Sequence, residues 1–262
     1  MPRLRALTAS FRHQAAIFWA EPQWIVPNII APFVLAMVVL MLFREPSPEA
    51  LLYAVLGGGM MGMWGNTLYA SGFSIQSDRW WGTVDAIFAA PSSLIWIIGG
   101  RTIWHALIGI INGLFVLVVA VLIFQMPFVV ADMPQFLLAF MLTLLSLAAL
   151  GMLFSAAFVL TRSAQVLTNG LEYPIYVGTG SMFPIALLPF WTNPLSLSLA
   201  PTWGIDAIRY AALDGYPHGF SAGYWGDLLA LALLSLFYLT VSIWLYKAVD
   251  KRARKTANLM RY

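Results

Sequence analysis

An all-α membrane protein with six transmembrane helices is the fold class this sequence predicts, and three observations predict it. Hydrophobic residues make up 61% of the chain and charged residues only 10%, for a mean hydropathy of +0.81, beyond the balance of a soluble domain. Six apolar runs, at 24–43, 51–73, 102–124, 134–160, 174–190 and 225–246, approach or exceed the roughly 20 residues that cross a bilayer. The 14 Lys and Arg residues are unevenly shared among the connecting segments, as in chains that insert with basic loops inside. Zero cysteines exclude disulfides and thiolate metal sites, and no metal-ligand pattern stands in their place.

The first element, residues 4–18, reads as an amphipathic helix. Leu4, Leu7, Phe11, Ala15 and Phe18 recur at steps of three and four, with Arg5 and Arg12 at the edge of the stripe. Such a helix lies in the membrane interface, its basic groups toward lipid phosphates. The alternative is an ordinary soluble helix end. The region does not read as a cleaved signal, because apolar sequence starts only near Trp24 and no small-residue cleavage pattern follows.

Placing the N-terminus in the cytoplasm puts Arg3, Arg5, Arg12, Arg79, Arg101, Arg162 and the six basic residues of 247–262 inside. Only Arg44 and Arg209 fall outside. Both termini are then expected in the cytoplasm, and the net charge of +3 reflects membrane orientation rather than nucleic-acid binding. The basic tail, 247–262, is expected to anchor the last span at anionic headgroups.

Between the second and third spans lies "DRWWGTVDAIFAAPSS", residues 78–93. Thr83 can cap a short helix at 82–90 and Asp85 falls in its first turn, where the helix dipole favours an acid. Val84, Ile87 and Phe88 share one apolar face, and Pro91 ends the helix. A short amphipathic helix at the mouth of two spans suits a partner's groove; the alternative is a helix resting on headgroups.

The second span carries "GGGMMGMWGNTLYASG". Gly58 and Gly62, one turn apart, favour close approach of another helix. Met60, Met63, Trp64, Asn66 and Tyr69, with Asn112 of the third span, are the candidate lining of a greasy, adaptable substrate cavity. No Asp, Glu, Lys or Arg falls near the middle of a predicted span, which argues against an ion-coupled carrier. A serine-protease reading of "GTGS" at 178–181 fails because Met182 follows Ser181 and His218 belongs to a loop.

Residues 191–217 stay apolar although Pro184, Pro189, Pro194, Pro201 and Pro217 punctuate this part of the chain. Broken apolar backbone at membrane depth needs protein or a cavity to cover it, so a re-entrant outer gate is expected; a solvent-wetted loop is the alternative. Asp206 and Arg209, three apart, are expected to interact locally.

"GTVDAIFAAPSS" resembles the G-T-L-E-x-L-x-x-T-P-x-S segment of type-2 permeases of ATP-binding-cassette (ABC) exporters, through Gly82, Thr83, Asp85, Pro91 and Ser93. "SMFPIALLPFWTNPLSLSLAPTWGIDAIR", residues 181–209, is similar to a second family signature through Phe183, Pro184, Leu188, Pro189, Pro201, Asp206, Ala207 and Arg209. The resemblance implies that residues 82–90 are a coupling helix seated in a cleft of a separate cytosolic ATPase. It implies re-entrant helices on the outer face, with Phe183, Pro184, Pro189, Pro201, Asp206 and Arg209 in the gate. Two permease chains, as a homodimer or with a related permease, would work with two ATPase copies in a bacterial inner or plasma membrane. The chain has no G-x-x-x-x-G-K-[ST] loop, so ATP and Mg are expected on the partner and no cofactor or catalytic residue here. Expected cargo is hydrophobic or amphipathic, drug-, antibiotic- or lipid-like; the 15% aromatic content keeps export of a polysaccharide or lipid-linked glycan as the alternative.

Overall fold

The computed structural model describes residues 2–21, 25–42, 48–65, 77–124, 130–159, 170, 174–181, 185, 188–216, 219–220 and 222–256, and no strand occurs among them. The principal helices are α1 (Pro2–Ala20), α2 (Ile25–Leu42), α3 (Pro48–Trp64), α4 (Val84–Ala89), α5 (Leu94–Phe124), α6 (Met133–Val159), α7 (Asn193–Ser198), α8 (Ala200–Ala212) and α9 (Gly223–Thr256). Among the described residues, three stretches are long and apolar enough to cross a membrane: Leu94–Val119, Met133–Ala157 and Gly223–Lys251. The fifth apolar run, 174–190, is helical over 174–178 and turns at 179–180, where Gly180 takes φ +69°.

Helix α5 shows how a chain folds when its solvent is lipid. Ile103, Leu107, Ile111, Leu114 and Val118 recur on one face and are exposed. Arg101, His105, Ile108, Asn112 and Val116 recur on the opposite face and are buried. Apolar side chains gain nothing by leaving hydrocarbon, whereas polar ones must be covered by protein. The polar residues therefore point inward.

Two groups of helices pack side by side. Helices α1, α2, α3 and α5 form one, and α6, α8 and α9 the other, joined along α5, α6 and α3. Small residues set the spacing within the first. A Cβ on Gly58 would stand 2.6 Å from the Pro32 carbonyl oxygen, and one on Gly62 would stand 3.1 Å from the Asn112 Cβ. On Gly109 it would stand 2.7 Å from the Met63 side chain. A Cβ on Gly100 would collide with the Leu7 carbonyl oxygen of α1. The α1 stripe finds its cover there: Ser10 donates to the Ile97 carbonyl at 2.6 Å, and Phe11 and Phe18 meet the Trp104 ring edge-on at 5.3 and 5.9 Å. Leu4 remains exposed.

Prolines open the short helices instead of breaking them. Pro194 and Pro201 occupy the first turns of α7 and α8, where a missing N–H costs nothing. The break between the two falls at Leu199, which is extended (φ −92°, ψ 115°). Helix α8 is buried along most of its length against α6 and α9. Its end is tied to the start of α6 by Ala131 and Asp132 N–H donating to the Ala212 and Ala211 carbonyls at 3.1 and 2.9 Å. Asp132 in turn caps α6, accepting from the Gln135 N–H at 3.0 Å.

Candidate functional site

Two polar assemblies occupy opposite ends of the helix bundle, which α5 spans with 31 residues, about 46 Å at 1.5 Å each. The first holds the α4 segment. Arg101, on the third turn of α5, grips Asp78 with both terminal nitrogens, Nη1 to Oδ2 at 2.6 Å and Nη2 to Oδ1 at 3.2 Å, and both residues are buried. This fork-on-fork geometry fixes direction as well as distance. Thr83 Oγ1 donates to Asp78 Oδ1 at 3.1 Å, and the Thr83 N–H donates to the Asp78 carbonyl at 2.9 Å. Gly82 closes the loop at φ +68° with open space around its missing Cβ; the left-handed backbone is what favours glycine there.

Thr83 stands at the N-cap of α4, as the spacing predicts, but its hydroxyl does not cap the helix; it turns back to Asp78. At the other end Ala90 becomes extended (φ −63°, ψ 142°) ahead of exposed Pro91. Ile87 does not face outward for a partner. It packs on a cluster drawn from three helix ends: Leu94 and Ile98 of α5, Met152 and Ala156 of α6, and Tyr246 and Val249 of α9. The side chains of Val84, Asp85 and Phe88 lie outside the described residues. Trp80 and Trp81, beside the helix, are 60% and 50% exposed.

The second assembly surrounds α8. Arg209, 2% exposed, donates from Nη2 to the carbonyls of Gly180 and Ser181 at 2.7 and 2.9 Å and lies over the Tyr53 ring, 4.0 Å from its centre. The expected local interaction with Asp206 is one of charge, without a direct ion pair between the two side chains. Asp206 instead accepts the Phe220 N–H at 2.8 Å and faces the Asp227 carboxyl of α9. The fold offers Arg209 two carbonyls at the Gly180 turn, which spacing along one helix cannot show. Burial pushes the Asp206 carboxyl upward, opposed by the Phe220 N–H and by Asp227. Tyr53 and Tyr216 place their hydroxyls 3.3 Å apart. A cavity of about 340 Å³ opens here, with Thr202, Asp206, Arg209, Tyr216 and Phe220 among its walls. Exposed Pro189 and buried Pro201 flank α7, whereas Phe183 and Pro184 lie outside the described residues.

The methionine-rich stretch lies elsewhere. Met60, Met63, Trp64 and Asn112 are 3, 3, 2 and 3% exposed, packed among α3, α5 and the central core of a single chain; Asn66 and Tyr69 lie outside the described residues. The close approach that Gly58 and Gly62 favour is made to α2 and α5 of the same chain. Trp64 Nε1, Asn112 Nδ2 and both His105 ring nitrogens find no hydrogen-bond partner among the described residues.

Sequence reasoning missed the Asp78–Arg101 clamp and the Asp206–Asp227 contact. The one available signal for the clamp was opposite charge at the two ends of a connecting loop. The Asp206–Asp227 contact gave none.

A family model described as ABC-2 type transporter matches residues 5–213. The chain belongs to the ABC-2 type transporter family. It is thus the membrane permease component of an ABC transporter and not itself the catalytic subunit. The matched region runs from α1 through the clamp, α4 and α8, and stops before α9, so that Asp206 and Arg209 fall inside it and Asp227 beyond it. No curated protein matches the chain.

Proposed function

We propose that this ABC-2 permease exports a hydrophobic or amphipathic substrate, and that α4 is the helix through which a cytosolic ATPase drives it. One observation carries this reading: Ile87 is seated where α5, α6 and α9 all end. A helix held at that junction, with its preceding loop pinned to α5 by Arg101 and Asp78, passes any displacement to three candidate spans at once. A loop resting on headgroups would need neither the clamp nor the wedge. Exposed Trp80 and Trp81 beside α4 offer the kind of aromatic anchors that dominate protein interfaces.

In this reading the α4 end faces the cytoplasm with both termini, six spans cross the membrane, and α7 and α8 form a gate on the outer side. Two copies of the chain work with two ATPase subunits, which bind ATP and Mg. Drug-, antibiotic- or lipid-like cargo fits the scarcity of charge in the three long apolar stretches.

Co-purification with the ATPase subunit tests the coupling role. Trp80→Ala combined with Trp81→Ala should leave the permease monodisperse and its melting temperature unchanged, yet reduce ATPase recovery at least about tenfold, as losing two interface aromatics does. Wild-type recovery of the ATPase by the double variant would reject the docking surface.

A further inference from the structure

Asp227, early in α9, is fully buried, and neither of its carboxyl oxygens receives a donor from the described N–H and hydroxyl groups. A bare carboxylate in such a place is too costly to keep, and a group so placed is held neutral instead. What it faces is another carboxyl, that of Asp206 on α8, within hydrogen-bonding reach.

Asp206 is placed differently. Burial disfavours its charge as well, but the Phe220 N–H donates to Oδ2 at 2.8 Å, and the Arg209 charge and the Tyr216 hydroxyl stand beside it. Each of these three favours the ionised form. One proton between the two side chains therefore satisfies both: Asp227 as an acid with an O–H to give, Asp206 as a carboxylate with a lone pair to receive it. Arg209, the one cation among the described groups there, then matches the one remaining negative charge. Two carboxylates would repel across the contact, and two acids would leave Arg209 without its counter-charge.

We propose that Asp206 and Asp227 hold one shared proton, borne by Asp227 and donated to the Asp206 carboxylate, as a polar latch between α8 and α9 that opens when the proton is lost. Among the described residues, the other titratable groups around the pair are the phenols of Tyr53 on α3, Tyr210 on α8 and Tyr216 in the loop that follows. Tyr224, on α9 just before Asp227, lies beside Asp132 of the α6 cap. Burial pushes the Tyr210 and Tyr216 phenols up, farther from the neutral range. In the unfolded chain both carboxyls release their protons near about pH 4, whereas the folded pair keeps one. Above that pH the fold binds one proton more than the unfolded chain. Folding therefore weakens about tenfold for each unit of rising pH until the pair lets its proton go. The site depends on no orientation of the chain in the membrane, and it is read without transport.

Infrared spectroscopy of the purified full-length permease at pH 7 tests it, through the C=O stretch of a protonated carboxyl. Wild type is expected to show a band that Asp227→Asn lacks. Asp206→Asn should keep that band and move it to higher frequency, because the acid has lost its charged acceptor. Between pH 5 and 9 the melting temperature of wild type should fall relative to that of Asp227→Asn, whose amide keeps an N–H for Asp206 and has no proton to lose. Absence of a protonated-carboxyl band from wild type would overturn the proposal, whether or not either variant folds. So would a band that survives Asp227→Asn or stays in place in Asp206→Asn, and so would parallel pH profiles of melting for wild type and Asp227→Asn.

Discussion

Arg101 sits on the third turn of α5, a helix with no other Asp, Glu, Lys or Arg, and is 4% exposed. A lone buried guanidinium would be unsustainable there; the bidentate contact with Asp78 makes it tolerable. Removing one partner strands the other. Asp78→Ala is therefore expected to cost about 3–5 kcal/mol, while Asp78→Leu with Arg101→Met should recover much of that stability, as buried pairs replaced by apolar groups do. Thermal unfolding of the purified variants checks both. Equal destabilisation by the single and double changes would mean that the pair itself, and not its charge balance, holds the segment. The double variant should also lose ATPase-driven transport despite its recovered stability, since α4 then lacks its directional tie to α5.

At the scale of elements, neighbouring glycines on α5 have opposite jobs. A Cβ on Gly99 meets nothing within 4 Å, whereas one on Gly100 collides with the α1 backbone at Leu7. Gly99→Ala should stabilise the protein by about 0.5–1 kcal/mol through helix propensity. Gly100→Ala should destabilise it by about 1–3 kcal/mol by forcing α1 away. Melting temperatures of opposite sign relative to wild type confirm this assignment, and equal shifts refute it. Elements of this type were readable in the sequence wherever one feature sufficed: the 3.6-residue stripe of α1, the Gly82-to-Pro91 bracket around α4, the apolar length of α6 and α9. Boundaries were less so. Helix α5 begins at Leu94 rather than near 102, because Arg101 interrupts the apolar run in composition while Asp78 compensates it in space. The reach of Arg209 to residues 180 and 181, and the facing of Asp206 and Asp227, join residues 21 to 29 positions apart. No periodicity encodes such pairings; they arise only when the Gly180 turn, α8 and α9 are packed together. The glycines of α3 posed the converse problem. Their spacing announced a close helix partner without saying whose helix, and the structure supplies α2 and α5 of the same chain. Gly62→Leu should accordingly unfold the single chain, lowering the yield of monodisperse protein, instead of merely splitting a dimer.

Across the whole molecule, the two polar assemblies lie at opposite ends of α5, with the apolar length of the bundle between them. Arg101, Asp78 and Ile87 tie the α4 segment to all three long apolar helices. Arg209, Asp206 and Tyr238 tie α8 and its neighbouring turns to one another and to α9. That arrangement can carry a displacement made at one end into the other, which is what a permease driven from outside its own chain requires. Along α5 there is no Asp, Glu, Lys or Arg between residues 102 and 124, which fits the proposed drive by a partner ATPase better than drive by an ion gradient. The most direct test is uptake of an amphipathic dye into inverted vesicles carrying this chain and its ATPase subunit, with the proton gradient dissipated. The account predicts uptake that requires ATP and is unaffected by loss of the gradient. Uptake that persists without ATP and collapses with the gradient would contradict it.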